Sequence, residues 1–419
     1  MSTKVYKKLK VINEKNQAIQ AVLEQNPDLG SRLTMIQMLI PLGLKAVEYE
    51  LQQEVRALAG ERYSRGKQVK RWGRNPGSVF LGDQKLAIKV PRVRNVAADE
   101  EVPLKAYQQL QSPQVIDDMV LGRVINGISQ GKYERAVTEL PQTFGIKKSS
   151  VSKKFIRASA KRLREFLERD LSDHDIVAIF MDGKHFAENE MVIALGVTIS
   201  GEKIILGFIE TSTENHVICR DFLNGLKDRG LRIDKEILFV IDGGKGLRKG
   251  IKEVMGERAF IQRCQWHKRE NVVEYLDKEK QAQYRRKLTA AYEQATTQKA
   301  KQRLDAIRRE LRLINESAVN SLDEGMEETL TLHRLGMFKK IGTSFKTTNC
   351  IENVNKQLAI YTDRVCRWRK SDQRRRWVAS ALLEIEPRLN RVGGYEFLKE
   401  LREAMAKAVA GTEDKRIAA

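Results

Sequence analysis

The sequence predicts an α/β protein: a mixed-sheet core broken by a helical insertion, preceded by a mainly α-helical region with a small β-hairpin. Three observations predict it. Apolar residues recur at helical spacing up to about residue 170 and then give way to short apolar runs. Those runs alternate with amphipathic stretches in the order βββαβαβ. From Glu257 to Glu324 no glycine or proline occurs, and the strong helix formers Ala, Gln, Glu, Lys, Arg and Leu dominate. A chain of 419 residues with 41% apolar content exceeds one ordinary compact unit and can build at least one large core. The patterns divide it into 1–110, 111–172, 173–268, 269–342 and 343–419.

Leu33 to Ala59 has helical spacing, with a break expected at Pro41 and an end near Gly60. Arg62, Arg65, Lys67, Lys70, Arg71 and Arg74 follow as a basic arm. From Ser78 to Arg94 the period changes to two. Leu86, Ile88 and Val90 alternate with Lys85, Ala87 and Lys89 after the turn pair Gly82-Asp83, which reads as a hairpin with a cationic face. Between Ile116 and Arg169 the pattern is helical again, and a break at Pro141 to Gly145 separates two helices, as in a helix-turn-helix. In the second, Val151, Phe155 and Ala158 form an apolar stripe, while Lys153, Lys154, Arg157 and Lys161 occupy other faces and could reach phosphates or base edges. A solvated basic helix in a bundle is the plainer alternative.

After Ser172-Asp173-His174-Asp175 come the apolar runs Ile176–Met181, Met191–Ile199 and Lys203–Glu210, read as a three-stranded meander. A helix at Asn215–Arg229, a strand at Ile237–Ile241, a helix at Leu247–Met255 and a strand at Ala259–Arg263 complete the series. This is the order of a ribonuclease H-like core, whose first and fourth strands lie side by side and parallel at the centre. Asp182 and Asp242, each followed by glycine, stand at the ends of those strands, where open α/β sheets bind ligands. Thr347-Thr348-Asn349 then caps a further helix, in which Ile351, Val354 and Leu358 form one face while Glu352 and Asn355 look elsewhere.

The formal charge of +21, from 76 Lys and Arg against 55 Asp and Glu, is spread along the chain and implies a polyanionic partner. No run approaches the roughly 18 apolar residues of a spanning helix, so no membrane partner is expected. Met1 to Lys10 is polar and basic, unlike a secretory signal, and a cytoplasmic protein is expected. The cysteines at 219, 264, 350 and 366 form no disulfide framework.

Phosphodiester chemistry needs an aligned nucleophile and neutralised charge on the attacking and leaving oxygens, which two hard divalent cations about 4 Å apart provide. Asp182, Asp242 and Glu352 suit two Mg2+ or Mn2+ ions, with Asp182 bridging both and the other acids each completing one side. Against this, an Asp-Gly pair after a strand is commonly a turn, and Glu352, third in a helix capped by Asn349, has the place of a capping-box residue. Cys264 and His267, spaced Cys-x-x-His, could hold zinc with help from Cys350, Cys366 or His333, but support of the active site is the preferred reading. Trp266 reads as core in preference to a base-stacking surface. His185 could approach a phosphate or pack beside Asp182. The cations Arg364, Arg367, Arg369, Lys370, Arg374, Arg375 and Arg376, interleaved with Trp368 and Trp377, suit DNA backbone binding or a solvated helix surface.

Met181-Asp182-Gly183-Lys184-His185, Val240-Ile241-Asp242-Gly243-Gly244, Arg263-Cys264-Gln265-Trp266-His267-Lys268 and Thr347-Thr348-Asn349-Cys350-Ile351-Glu352 together resemble the Mutator-type transposases of bacterial insertion sequences. The resemblance runs from about Asp175 to Asn355 and less specifically upstream. It implies an Asp-Asp-Glu recombinase on a ribonuclease H-like fold, with catalytic acids at Asp182, Asp242 and Glu352 and the family's Cys-x-x-His at Cys264 and His267. It further implies a bacterial protein, nucleoid-associated when bound, that recognises inverted repeats in double-stranded DNA, cuts them and joins them to target DNA. Pairing two element ends calls for a homodimer or higher multimer. A transposon-derived DNA-binding regulator, or a ribonuclease H-like nuclease or resolvase, are the alternatives.

Overall fold

The computed structural model describes residues 29–63, 68–81, 84–111, 113–127, 148–186, 189–211, 215–363, 365, 368 and 371–417. The chain forms two compact units, Met1–Ala158 and Ser159–Ala419.

In the first unit, helix α1 (Leu29–Ala59) continues across Pro41. The expected break does not occur, because the proline removes one backbone donor while the turns on either side retain theirs. Gly60 ends the helix with φ 77°, its N–H reaching Arg56 O at 2.9 Å. Strands β1 (Val69–Leu81) and β2 (Gln84–Asn95) pair antiparallel with Leu81 opposite Gln84, while the expected turn pair Gly82-Asp83 lies outside the described residues. A short β3 (Glu100–Val102), not expected from the sequence, joins β2. Leu86, Ile88 and Val90 are buried while Ala87 and Lys89 are exposed, as their alternation requires, and Ile88 and Val90 share a core with Val47, Leu51 and Val55 of α1. Helices α2 (Lys105–Leu110), α3 (Pro113–Ile125) and α4 (Lys148–Glu168) follow, and the division between the units falls inside α4. The turn of the expected helix-turn-helix, Pro141 to Gly145, lies outside the described residues.

The second unit is built on five strands: β4 (Ile176–Phe186), β5 (Asn189–Thr198), β6 (Lys203–Thr211), β7 (Ile237–Ile241) and β8 (Ala259–Arg263), in the order β6-β5-β4-β7-β8. The first three form an antiparallel meander, and β4-β7 and β7-β8 are parallel. Every residue of β7 is buried, the reason its sequence is an unbroken apolar run. Helix α5 (His216–Asp228), capped by the Asn215 side chain, and α6 (Lys245–Met255) cover one face, packing Leu223, Leu226, Leu247 and Ile251 on Ile179, Met181, Phe239 and Ile241.

The glycine-free stretch folds as α7 (Gln265–Val273), α8 (Lys278–Tyr292), α9 (Thr297–Arg312) and α10 (Glu316–Asp323) around a separate core that includes Val272, Leu288, Leu304 and Leu322. Short helices α11 (Met326–Thr329) and α12 (Thr331–Arg334) return it to β8. There the buried Gln262 donates to Thr329 O at 2.9 Å and accepts from Leu332 N at 3.0 Å, while Thr331 Oγ1 donates to Ile261 O at 2.6 Å. Helices α13 (Phe338–Phe345), α14 (Asn349–Thr362), α15 (Ser371–Ile385) and α16 (Leu398–Ile417) complete the unit. No helix among the described residues is long and apolar enough to cross a membrane.

Candidate active site

The parallel pairing of β4 and β7 ends with Met181 opposite Ile241, so Asp182 and Asp242 are the next residue on each of two adjacent strands, about 5 Å apart in a sheet. The aspartates then differ. Asp182 is not in a turn: β4 runs on through Phe186, with Asp182 opposite Ile193 in β5. Asp242 does leave its strand. Its Oδ1 accepts Gly244 N–H at 3.1 Å, and Gly243, at φ 118°, makes the turn into α6. A Cβ on Gly243 would stand 2.0 Å from Arg263 Nε, and Arg263 donates to the carbonyl of Gly243 at 3.1 Å and to that of Glu324 at 2.9 Å.

Helix α14 brings the third acid. Its N-cap is Thr348, not Asn349, so Glu352 is the fourth helical residue and the capping-box assignment does not hold. The Glu352 carboxylate Oε1 instead accepts the Thr348 hydroxyl at 2.9 Å. One turn on, Asn355 Nδ2 donates to Asp182 Oδ2 at 3.1 Å, and Lys184 Nζ donates to Asn355 O at 3.0 Å. These bonds tie α14 to β4. Ile351, Val354 and Leu358 are buried as expected, and Phe345 just before the helix stacks on Phe180 of β4 at 5.4 Å.

Asp182 is 7% exposed. Burial first, then the neighbouring charges of Asp242 and Glu352, push its carboxyl up to about 7, while His267 and the Asn355 hydrogen bond oppose the rise. The three acids therefore share one electrostatic site. Cys264 and His267 follow β8, Cys264 N–H bonding Ile241 O at 2.8 Å, beside the second aspartate. The Cys264 hydrogen bond raises His267 to about 9, against the effect of burial, with help from the charges of Cys264, Asp182 and Asp242. Burial pushes the Cys264 thiol up, but its hydrogen bond and charge interaction with His267 leave it lowered overall. Trp266 is 46% exposed, which overturns its reading as core, and its ring meets His267 edge-on at 4.9 Å. Position 185 lies in β4 opposite Glu190, but the His185 side chain lies outside the described ones.

Hard carboxylate oxygens that repel one another out of water are a donor set that divalent cations satisfy. Asn355 Oδ1, buried next to Asp182, has no donor among the described residues, a further oxygen of the same kind. No group of three or more described His, Cys, Asp and Glu side chains forms a ready cage for one ion. The oxygens of Asp182, Asp242 and Glu352 are of the chemistry that Mg2+ or Mn2+ would take, with water and phosphate completing the coordination.

The cations expected to meet DNA are placed unequally. On α4, Lys153, Arg157 and Lys161 are exposed, Lys161 near Glu165 at 3.8 Å, whereas Lys154 is 9% exposed and not on an open face. Arg369 and Lys370 lie outside the described residues. On α15, Arg375 is exposed, but Arg374 is half-buried in an ion pair with Glu210 at 2.5 Å, and Arg376 bonds Asp372 at 2.8 Å and Ser159 at 3.0 Å. Arg374 is thus committed to β6 and is not a free contact. Sequence reasoning missed Asn355 and the side chain of Thr348. Asn355 carried a signal, since it stands three residues after Glu352 on the same side of the helix.

Residues 7–384 match the model of the family described as Transposase, Mutator family. The chain is similar to the transposase for insertion sequence element ISRM5 of Rhizobium meliloti (strain 1021), 26% identical over 92% of this chain and 95% of the relative. It is also 26% identical to the transposase for insertion sequence element IS256 in transposon Tn4001 of Staphylococcus aureus, over 65% of this chain and 70% of the relative. The transposase for IS905 of Lactococcus lactis subsp. lactis (strain IL1403) is 28% identical over 48% of this chain and 52% of its own length.

Proposed function

This chain belongs to the Mutator family of transposases, and from that premise we propose that its second unit is a ribonuclease H-like Asp-Asp-Glu catalytic core that cleaves DNA at the ends of an insertion sequence and transfers the freed strand to target DNA. The observation that carries the reading is Asp182, buried on a central strand just past its parallel pairing with β7, with its carboxyl raised by burial and by Asp242 and Glu352. Such crowding destabilises the apo protein and is offset when cations bind.

Two Mg2+ or Mn2+ ions, when bound, neutralise the attacking and leaving oxygens of the phosphodiester. Asp182, Asp242 and Glu352 would hold these ions, and Asn355, bonded to Asp182, fixes the rotamer of that acid. The rigid sheet supplies two of the acids and α14 the third, so the phosphate is received in a preset geometry. The terminal inverted repeats in double-stranded DNA are the substrate, with the exposed cations of α4 among the contacts that grip them. Synapsis of two ends requires at least two protomers.

The experiment uses purified protein and its Asp182→Asn variant, incubated with labelled DNA carrying the element's own ends, with and without Mg2+ or Mn2+. Cleavage and strand joining are expected from the wild type with metal, and binding alone from the variant. Unchanged cleavage by Asp182→Asn would sink the mechanism. Binding without cleavage by both proteins would favour a transposon-derived regulator.

A further inference from the structure

We propose that Thr348 is a positioning residue for Glu352, and that the Cys264/His267 pair acts through its hydroxyl to hold that carboxylate in place. The proposal rests on the reading of Glu352 as a cation ligand given above.

Thr348 is fully buried and is the N-cap of α14, where its carbonyl accepts both Ile351 N–H and Glu352 N–H at 3.0 Å. A threonine in that place ordinarily turns its side chain back to accept a backbone N–H of the first turn. Here it makes no such bond. Its Oγ1 instead lies 2.9 Å from Glu352 Oε1, 3.3 Å from His267 Nδ1 and 3.5 Å from Cys264 Sγ. A hydroxyl has one proton, and the shortest contact is to a carboxylate, the strongest acceptor of the three. The proton therefore goes to Glu352, and the Thr348 oxygen is left to accept Nδ1–H from His267. This makes a directed chain, His267 Nδ1–H to Thr348 to Glu352, in which each bond polarises the next.

The far end of the chain is itself anchored. Cys264 Sγ accepts His267 N–H at 3.5 Å as the cap of α7, and Cys264 N–H is bonded to Ile241 O at 2.8 Å, one residue before Asp242. Gln265 N–H reaches Lys346 O at 2.9 Å, so the same turn also holds the segment leading into α14. The Cys-x-x-His pair thus links the aspartate after β7 to the glutamate helix. One oxygen of Glu352 is clamped and the other is left for a cation.

The test is a thermal-shift titration with Mn2+ alone, without DNA, on full-length wild type, Glu352→Gln, Thr348→Val and Thr348→Ser. Thr348→Val keeps the shape and removes the hydroxyl; Thr348→Ser keeps the hydroxyl. Thr348→Val is expected to raise the Mn2+ concentration for half-maximal stabilisation by about tenfold or more, with its melting temperature in EDTA near that of the wild type. Thr348→Ser should return the midpoint close to the wild-type value. A shifted midpoint in Glu352→Gln together with an unshifted one in Thr348→Val would overturn the clamp and leave the cation site standing. A wild-type midpoint in Glu352→Gln overturns both. Failure of Thr348→Ser to restore the midpoint also overturns the clamp, because packing would then be the role of Thr348. If Thr348→Val does not fold, Thr348→Ala is read in its place by the same criteria.

Discussion

The acids where the parallel pairing of β4 and β7 stops and the arginines of α15 are both concentrations of like charge, and folding treats them in opposite ways. Arg376 is buried and Arg374 half-buried, and each has found a counter-charge, in Asp372 and in Glu210. Asp182 is buried beside two half-buried carboxylates, and among the described residues the favourable polar neighbours that act on it are Asn355 and the more distant charge of His267. Paired burial makes a scaffold. Unpaired burial of like charges costs stability, and a protein that retains it is using it.

The largest expected break in that comparison is catalytic. Asp242→Asn should lower metal-dependent cleavage of end DNA by at least about a thousandfold, while gel-shift binding of the same DNA stays near wild type. Retained cleavage would remove the second aspartate from the site. Next, Arg374→Ala should cost about 3–5 kcal/mol, the penalty for leaving a buried partner unpaired, read from denaturant or thermal unfolding. Should the variant unfold normally yet fail to bind DNA, Arg374 belongs with the DNA contacts after all.

A third expectation concerns pH in the presence of EDTA. The folded pKa of Asp182, about 7, lies above the ordinary value of 3.8, so the folded state holds the proton more tightly than the unfolded chain does. Stability from this group is full below about pH 4 and is lost as pH rises through about 7. Asp182→Asn should flatten that slope and melt higher than the wild type at pH 8; an equal slope in both proteins would show that the acid is not strained. Fourth, Asn355→Ala should cost about 1 kcal/mol in unfolding free energy and weaken Mn2+ binding. The smallest effect is expected at Arg375: its alanine variant should stay within about 0.5 kcal/mol in stability, and a phosphate contact there would lower the salt slope of DNA binding by about one.

These differences explain what could be read beforehand. β7 was legible to its terminal residues, because a strand covered on both faces must be apolar throughout and its polar flanks mark its ends; β8 has the expected bounds although it closes on the polar Gln262 and Arg263. β4 was cut short at Met181, since Asp182 to His185 look like a turn; backbone pairing with β5 does not depend on side-chain polarity, and the strand continues. The three acids were legible because the order of the elements implied which strand ends are adjacent. The Thr348 hydroxyl was not, because its partners at 264–267 lie far off in sequence, and Asn355 offered only its spacing from Glu352, its partner Asp182 being equally remote. The exposure of Trp266 and the half-burial of Arg374 failed for the same reason: spacing gives a residue's face on its own helix, and only the opposing element decides whether that face is covered.

The Gln262 staple has a consequence of another kind. A single side chain on β8 grips Thr329 and Leu332, so the chain leaves the sheet after Arg263 and closes back on the same strand some seventy positions later. What lies between, with a core of its own, is a detour with a locked gate. Helices there can lengthen, shorten or be exchanged without shifting either doorpost, which makes this excursion the part of the molecule most open to divergence and the natural place to graft a foreign domain.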